Sequence, residues 1–243
     1  MRIGVLGAGV MGAGIAQVTA AAGYETRCYD LSAEALAAAR HHVTTGRYGL
    51  DSAVSRGKLT REEADAALAR LTFTDAFDVA ADADLVIEAV PERLDLKIRV
   101  FRDLDRVAPA ATILASNTSG FPIQALAAAT DRPDKVIGWH WASPAPVMKL
   151  AEIVTTRDTT DATTDRVREV AARCGKHPIV VRDTAMAWGF VANRVYFAMV
   201  AEARRVVDEG IATAEEVDQL MVDCFRWPAG PFGMVTGAGS GWS

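Results

Sequence analysis

Short apolar runs alternate with segments of helical periodicity up to about Arg182. Residues 85–88 are typical of a buried strand, and Leu96, Val100 and Leu104 are spaced as on one face of a helix over 94–107. This alternation predicts a doubly wound, mostly parallel α/β sheet. Further strands are predicted at 2–6, 25–29, 71–74, 112–115, 136–141, 151–154 and 178–181, and further helices at 32–49, 60–70, 122–129 and 160–174.

The pattern from Trp188 onward is helical only. A long helix over 190–209 is predicted to end at Gly210, and a capping box at Thr213 opens a second helix to about Cys224. The turn-rich stretch 227–233 is predicted to be irregular. We therefore expect two domains, an α/β domain over 1–184 and a small all-α domain over 185–243.

A glycine pattern follows the first predicted strand and opens a helix. In this context, strand, glycine turn, helix, strand and acid form the dinucleotide-binding fingerprint of a Rossmann-type sheet. Asp30 would accept hydrogen bonds from the adenosine ribose and repel a 2′-phosphate, which favours NAD over NADP. The alternative is a tight strand–helix turn without a ligand. The candidate cofactor-binding residues of the turn are Gly7, Gly9, Val10, Met11 and Gly12.

Composition excludes several classes of protein. Half of the 243 residues are hydrophobic and 23 % are charged, which is ordinary for a globular protein. The net charge of −5 gives no long-range attraction to nucleic acid or anionic membrane. Residues 3–24 carry no charge, but their many glycines argue against a membrane span or signal peptide. The three cysteines give neither a zinc pattern nor an even disulfide framework, so we expect no metal and a cytoplasmic location.

His140 follows an apolar strand, at the sheet edge where ligands bind in such folds. Glu152 stands within the next apolar strand, and a buried carboxylate there needs a partner. A carboxylate on one imidazole nitrogen would leave the other as a general base. The alternative is a structural histidine.

Other polar residues are weaker candidates. The stretch Ser116-Asn117-Thr118-Ser119 ends a strand, where it could contact a ligand or form a local turn. Asn193 lies on an apolar helix, where it could cap a neighbouring backbone or face a substrate. Residues 40–61 contain five Lys or Arg residues and one Asp, which suggests a site for an anionic group or a solvated helix face.

Several motifs in order resemble the L-3-hydroxyacyl-CoA dehydrogenase family over residues 2 to about 238. They are Gly7-Ala-Gly-Val-Met-Gly12, Ile87-Glu-Ala-Val-Pro-Glu92, Ala115-Ser-Asn-Thr-Ser119, His140-Trp-Ala-Ser-Pro144, Pro146-Val-Met-Lys-Leu150 and Gly189-Phe-Val-Ala-Asn-Arg194. The resemblance implies an NAD-dependent oxidoreductase of fatty acid metabolism that oxidises a short-chain 3-hydroxyacyl-CoA to the 3-oxoacyl-CoA.

The resemblance also implies a role for each residue. His140 would be the general base, Glu152 its partner, and Ser119 and Asn193 would hydrogen-bond the reacting oxygen or the histidine. Further cofactor contacts would come from Glu92, Lys97, Asn117 and Ser143, where Ser143 replaces the family's usual asparagine. Arg56 and Lys58 would bind CoA phosphates. The segment 184–188 differs from the family's usual entry to Gly189.

Two further expectations concern the C-terminal region and the substrate. The family normally adds helices after the point where this sequence ends, so a shortened C-terminal domain is expected. A second copy of the chain would cover the helix 190–209, which makes a homodimer the expected state. Dehydrogenases of L-gulonate or carnitine share the fold and base and remain alternatives, as does a non-catalytic NAD-binding protein. Dehydrogenases with a helix lysine as base are disfavoured, because Gly189 stands at that position.

Overall fold

The computed structural model describes residues 1–184 and 187–240, without the side chains of 238–240. It contains two compact units, Met1–Met186 and Ala187–Ser243. The first unit is built on one eight-stranded sheet, with strand order β3-β2-β1-β4-β5-β6-β7-β8. The strands are β1 (Arg2–Leu6), β2 (Glu25–Tyr29), β3 (Leu71–Thr74), β4 (Leu85–Glu88), β5 (Ile113–Ser116), β6 (Val136–Trp141), β7 (Leu150–Thr155) and β8 (His177–Arg182).

Helices connect the strands of the first unit and make up the regular structure of the second. The doubly wound, mostly parallel sheet expected from the sequence is confirmed, and the predicted strands lie within one residue of their observed bounds. The helices are α1 (Val10–Ala21), α2 (Ala33–Thr45), α3 (Leu50–Ser55), α4 (Arg61–Ala69), α5 (Phe77–Ala81), α6 (Leu94–Val107), α7 (Ile123–Ala127), α8 (Asp161–Arg173), α9 (Ala192–Asp208), α10 (Ala214–Phe225) and α11 (Pro231–Ser240).

The predicted helix over 32–49 is wrong in length. Ser32 caps its start by accepting from the Ala35 N–H, but the helix ends at Thr45 because Gly46 is extended. The separate helix α3 then begins at Leu50, with Gly49 as its N-cap residue. By contrast, the capping box predicted at Thr60 is present, with the side chain of Glu63 bonded to the Thr60 N–H. The short helix α5 was not predicted.

The parallel strands β1, β4, β5 and β6 bring their carboxyl ends to one edge of the sheet. The glycine turn follows β1 at this edge, and His140 is the penultimate residue of β6. β7 runs antiparallel to β6, and the register sets His140 directly opposite Glu152. The fold therefore brings the glycine turn and the His140–Glu152 pair to the same edge, where open α/β sheets bind ligands.

The second unit departs from the prediction at two places. The long helix α9 begins at Ala192 rather than Phe190, because Gly189 and Phe190 both have positive φ. The stretch expected to be irregular leads instead into α11. Pro231 occupies the first position of α11, where a missing N–H costs nothing. The Asp218 carboxylate accepts the next two N–H groups, those of Phe232 and Gly233, at 2.8 and 2.7 Å.

Candidate functional site: a dinucleotide turn and a buried histidine–carboxylate pair

The glycine turn is shaped by backbone constraints. Gly7 has φ +97°, a conformation that favours glycine. A Cβ at Gly12 would lie 1.7 Å from the Gly7 carbonyl oxygen, so only glycine allows α1 to pack this closely on β1. A Cβ at Gly9 would contact no described atom within 4 Å, so Gly9 faces open space. That space suits a pyrophosphate against the N-terminus of α1, which Val10 and Met11 begin.

Asp30 ties the turn to the end of β2. One carboxylate oxygen accepts from the Ala8 N–H at 2.8 Å, and the other accepts from the Ser32 N–H at 3.0 Å. The carboxylate also lines a cavity of about 700 Å³ beside the turn, which is large enough for the adenosine half of a dinucleotide. The apolar walls of the cavity include Leu31, Phe77, Val90, Pro91 and Leu96. The residues present therefore fit NAD.

A buried ion pair lies beside this turn, at the ends of β4 and β5. The Lys97 ammonium is 2.7 Å from one Glu88 oxygen, and the Ser116 hydroxyl donates to the other at 2.6 Å. Burial raises the pKa of the Glu88 carboxyl, and the nearby Lys97 ammonium, the Ser116 hydroxyl and the Val90 N–H counteract that rise. Sequence analysis missed Glu88 and Ser116 as members of this network.

Glu92 extends the network toward solvent. Its carboxylate lies 3.2 Å from the Lys97 ammonium and accepts from the Thr118 hydroxyl at 2.6 Å and the Ser119 N–H at 2.9 Å. Lys97 is only 1 % exposed, whereas 37 % of the Glu92 side chain is exposed. Glu92 and Lys97 were both expected at the cofactor. Glu92 is open to a ligand, whereas Lys97 is buried and holds the Glu92 carboxylate by an ion pair.

His140 and Glu152 form a buried pair. The Nδ1 atom of His140 lies 2.9 Å from a carboxylate oxygen of Glu152, and both side chains are less than a tenth exposed. The contact follows from the antiparallel register of β6 and β7, since directly opposed residues project to the same side of a sheet. A carboxylate at Nδ1 fixes the imidazole tautomer and directs its chemistry to Nε2.

The other residues expected at the site belong to separate parts of the chain. The Asn117 side-chain oxygen accepts from the Trp141 N–H at 2.9 Å, which links the end of β5 to the residue after His140. Ser143 stands on the connection between β6 and β7. Asn193 lies in the first turn of α9, within the second unit. Residues 185 and 186 of the segment before Gly189 lie outside the described residues.

The basic segment 40–61 partly neutralises itself. Arg61 pairs with Asp51 at 2.8 Å, so it is not a free charge. Arg56 donates to the Arg47 carbonyl and the Ser52 hydroxyl, and with Lys58 it lines a second cavity of about 470 Å³. Lys149 and Arg173, which sequence analysis did not single out, line the same cavity. No acidic residue is found among its described lining residues.

The described residues were also compared with the patterns of metal sites and membrane helices. No group of three or more potential metal ligands occurs within the described residues. The same part of the chain contains no helix that is long and apolar enough to span a membrane.

Comparison with known proteins identifies the family. The signature described as "3-hydroxyacyl-CoA dehydrogenase, NAD binding domain" matches residues 2–184, and the corresponding C-terminal domain matches 189–243. The chain is 42 % identical over 233 residues to a 3-hydroxybutyryl-CoA dehydrogenase of Mycobacterium tuberculosis, covering 95 % of this chain and 79 % of that protein. It is 40 % identical over 234 residues to a probable 3-hydroxybutyryl-CoA dehydrogenase of Bacillus subtilis, covering 96 % and 79 %.

A solved structure agrees with these relatives. The (S)-3-hydroxybutyryl-CoA dehydrogenase of Ralstonia eutropha matches with a TM-score of 0.90 and 37 % identity, over 95 % of this chain and 79 % of that chain. The resemblance read from the motifs is therefore confirmed, as is NAD as the cofactor. The chain belongs to the 3-hydroxyacyl-CoA dehydrogenase family of NAD-dependent oxidoreductases that act on a CH–OH group.

Proposed function

We propose that the chain interconverts a short-chain L-3-hydroxyacyl-CoA and its 3-oxoacyl-CoA, with His140 as the acid–base residue. In the oxidation, Nε2 of His140 would take the proton of the 3-hydroxyl group, and NAD, when bound, would supply the acceptor for the hydride on C3. The observation that carries the proposal is the buried contact of 2.9 Å between His140 and Glu152, at the sheet edge where the glycine turn lies. The relatives named 3-hydroxybutyryl-CoA dehydrogenase support a short acyl chain.

Glu152 acts through the histidine. Its carboxylate accepts from Nδ1–H, which places the basic lone pair on Nε2 and stabilises the imidazolium formed when the proton arrives. We assign Ser119 and Asn193 to the reacting oxygen, where their polar groups would hold the substrate against Nε2. Ser119 is suited to this task because its own N–H is anchored on Glu92.

The cofactor contacts divide between the two halves of NAD. Asp30 and the glycine turn would hold the adenosine ribose and the pyrophosphate. Glu92, Asn117 and Ser143 would hold the nicotinamide half, and Lys97 would set the position of Glu92 from its buried site. NAD supplies the hydride acceptor when bound.

The CoA phosphates would meet the second cavity. Arg56 and Lys58 are the sequence-based candidates, and Lys149 and Arg173 add positive charge to the same walls. None of these four side chains forms an ion pair with a carboxylate among the described residues, so their charges are available to an anion. Loss of CoA affinity in Arg56→Gln with unchanged NADH affinity would support this assignment.

We further propose a homodimer formed through the second unit. α9 exposes large apolar side chains in its N-terminal half, with Val195 67 % and Phe197 49 % exposed. Large exposed apolar surfaces of this kind mark interfaces, and a symmetric second copy is the commonest partner. Light scattering at micromolar concentration is expected to give twice the chain mass of 25.9 kDa, and a monomer would contradict the proposal.

The test of the reaction is acetoacetyl-CoA-dependent oxidation of NADH by the wild type and by His140→Ala. Loss of a general acid or base lowers turnover by about 10²- to 10⁴-fold. We expect that loss in His140→Ala, with the dissociation constant of NADH unchanged. His41→Gln is the matched control, because His41 is exposed and its side chain is hydrogen-bonded to Thr45 of the same helix. Wild-type turnover of L-gulonate or carnitine, and not of acetoacetyl-CoA, would refute the CoA substrate.

A further inference from the structure

Lys176 is a buried cation without an acidic neighbour. It lies between α8 and β8, and only 5 % of the residue is exposed. Among the described residues, the lysines that pair with carboxylates are Lys97 and Lys135, and Lys176 is not one of them. A buried charge is costly unless hydrogen bonds compensate it, so the groups that surround this ammonium decide its role.

Two carbonyl groups and one aromatic face surround the ammonium. The Nζ atom donates to the carbonyl oxygens of Ala145 and Met148, at 2.5 and 2.7 Å. It also lies 5.1 Å from the centroid of the Trp141 ring, within the range of a cation–π interaction. All three partners belong to β6 or to the segment that follows it.

That segment, residues 142–149, connects the two strands of the proposed catalytic pair. It begins two residues after His140 and ends three residues before Glu152, and it carries Ser143. Its internal hydrogen bonds are local, from the N–H groups of Val147 and Met148 to the Pro144 carbonyl. The bonds from Lys176 join the middle of the segment to the connection between α8 and β8. The last residue of the segment, Lys149, also bonds to that region, where its carbonyl accepts from the His177 N–H and its ammonium donates to the Gly175 carbonyl.

We propose that Lys176 is a positioning residue for the reaction, which rests on the proposed function. Its ammonium holds the connecting segment 142–149 through two carbonyl groups and also contacts the face of the Trp141 ring. The segment joins the ends of β6 and β7, so holding it in place keeps firm the register that sets His140 opposite Glu152. Lys176 itself is not among the described lining residues of the two cavities assigned to NAD and CoA.

The test compares Lys176→Met with Lys135→Met. Methionine keeps most of the length and apolar volume of lysine but removes the three N–H donors. Lys135 is partly exposed and pairs with Asp134 at the surface, so its variant controls for the loss of a lysine. The proposal predicts at least a tenfold fall in kcat for Lys176→Met, with the dissociation constant of NADH changed less than threefold, and no change for Lys135→Met.

A second readout does not depend on turnover. The Nδ1–H proton of His140, hydrogen-bonded to Glu152, should give a low-field proton NMR resonance, which is assigned by its loss in His140→Ala. We expect this resonance to shift or broaden in Lys176→Met and to stay unchanged in Lys135→Met. If the wild type lacks turnover, the proposed function fails while the resonance still decides the role of Lys176.

Two results would overturn the inference. The first is a folded Lys176→Met with wild-type kcat and an unchanged His140 resonance. The second, which applies if Lys176→Met does not fold, is wild-type behaviour of a folded Lys176→Gln. Lys176→Gln is then used, because its amide is one bond too short to reach both carbonyls. The proposal expects the same fall in kcat and the same change in resonance, so wild-type behaviour of a folded Lys176→Gln refutes it.

Discussion

The glycine turn after β1 and the strand pair β6–β7 lie at the same sheet edge but are built in opposite ways. The turn depends on backbone constraints within one short stretch, such as the positive φ of Gly7 and the contact of Gly12 with the Gly7 carbonyl. The strand pair depends on side chains that are distant in sequence, since His140 meets Glu152 only through the antiparallel register.

The difference separates two tasks. A turn made of backbone N–H groups binds an anion with little need for particular side chains. Acid–base chemistry needs particular side chains at hydrogen-bond distance, and these must be held by their surroundings. Binding of NAD and transfer of the proton should therefore fail independently when each region is altered.

The largest expected effect is on stability and concerns the buried network between the two regions. Lys97→Met leaves the Glu88 charge buried without its partner, which costs about 3–5 kcal/mol. Lys135→Met removes a surface ion pair and should cost less than about 1 kcal/mol. Urea unfolding of both variants measures the difference, and equal losses would contradict the assignment of a buried, paired charge.

The next effect is confined to the strand pair. Glu152→Gln keeps the shape of the side chain but removes the charge that stabilises the imidazolium, so kcat should fall by about 10²-fold, with NADH affinity unchanged. Glu169→Gln, which alters a surface pair with Arg166, is the control. A Glu152→Gln variant with wild-type kcat would show that Glu152 only fills space.

A smaller effect is confined to the turn. Gly9→Ala has room for its methyl group in the folded protein, so its melting temperature should not change. The methyl group would occupy the space that the pyrophosphate approaches, and NADH should bind about tenfold more weakly. Gly12→Ala, whose Cβ would collide with the Gly7 carbonyl, should lose stability as well. If Gly9→Ala bound NADH as tightly as the wild type, the pyrophosphate would have to bind at a different place.

The smallest effect is a pH dependence of stability. Burial, with a further contribution from the nearby Lys149 charge, lowers the pKa of Lys176 to about 8, while the neighbouring Cys174 opposes the shift. Above that pH the unfolded chain binds more protons than the folded one, so stability rises with pH until the ordinary lysine pKa near 10.4. Between pH 8 and 9, the free energy of unfolding of the wild type should rise by about 1 kcal/mol relative to that of Lys176→Met. If the free energies of unfolding of the two proteins changed equally with pH, Lys176 would not be a buried ammonium.

The sequence was sufficient where structure is local. Capping boxes located α4 and α10, and the glycine turn, Asp30 and the strands followed from short patterns. The break at Gly46 was missed because the apolar pattern continues across it. The start of α11 was missed because its cap, Asp218, comes from another helix.

At the site too, sequence patterns identified residues on single strands but missed contacts that depend on packing. His140 and Glu152 were candidates because each stands in an apolar strand, and the structure brings them together. Lys176 gave no signal, because its contacts depend on packing among α8, β6 and the segment 142–149. Glu88 stood within a quoted motif, but its pairing with Lys97 and Ser116 joins three separate elements.

The most direct test of the separation is a paired measurement on Gly9→Ala and His140→Ala, with NADH titration and acetoacetyl-CoA turnover on the same preparations. We expect each variant to be defective in a different one of the two measurements. Gly9→Ala loses NADH affinity and regains much of its turnover at saturating NADH, whereas His140→Ala binds NADH like the wild type and turns over at least 10²-fold more slowly. Turnover by His140→Ala at the wild-type rate, or loss of NADH affinity in that variant alone, would contradict it.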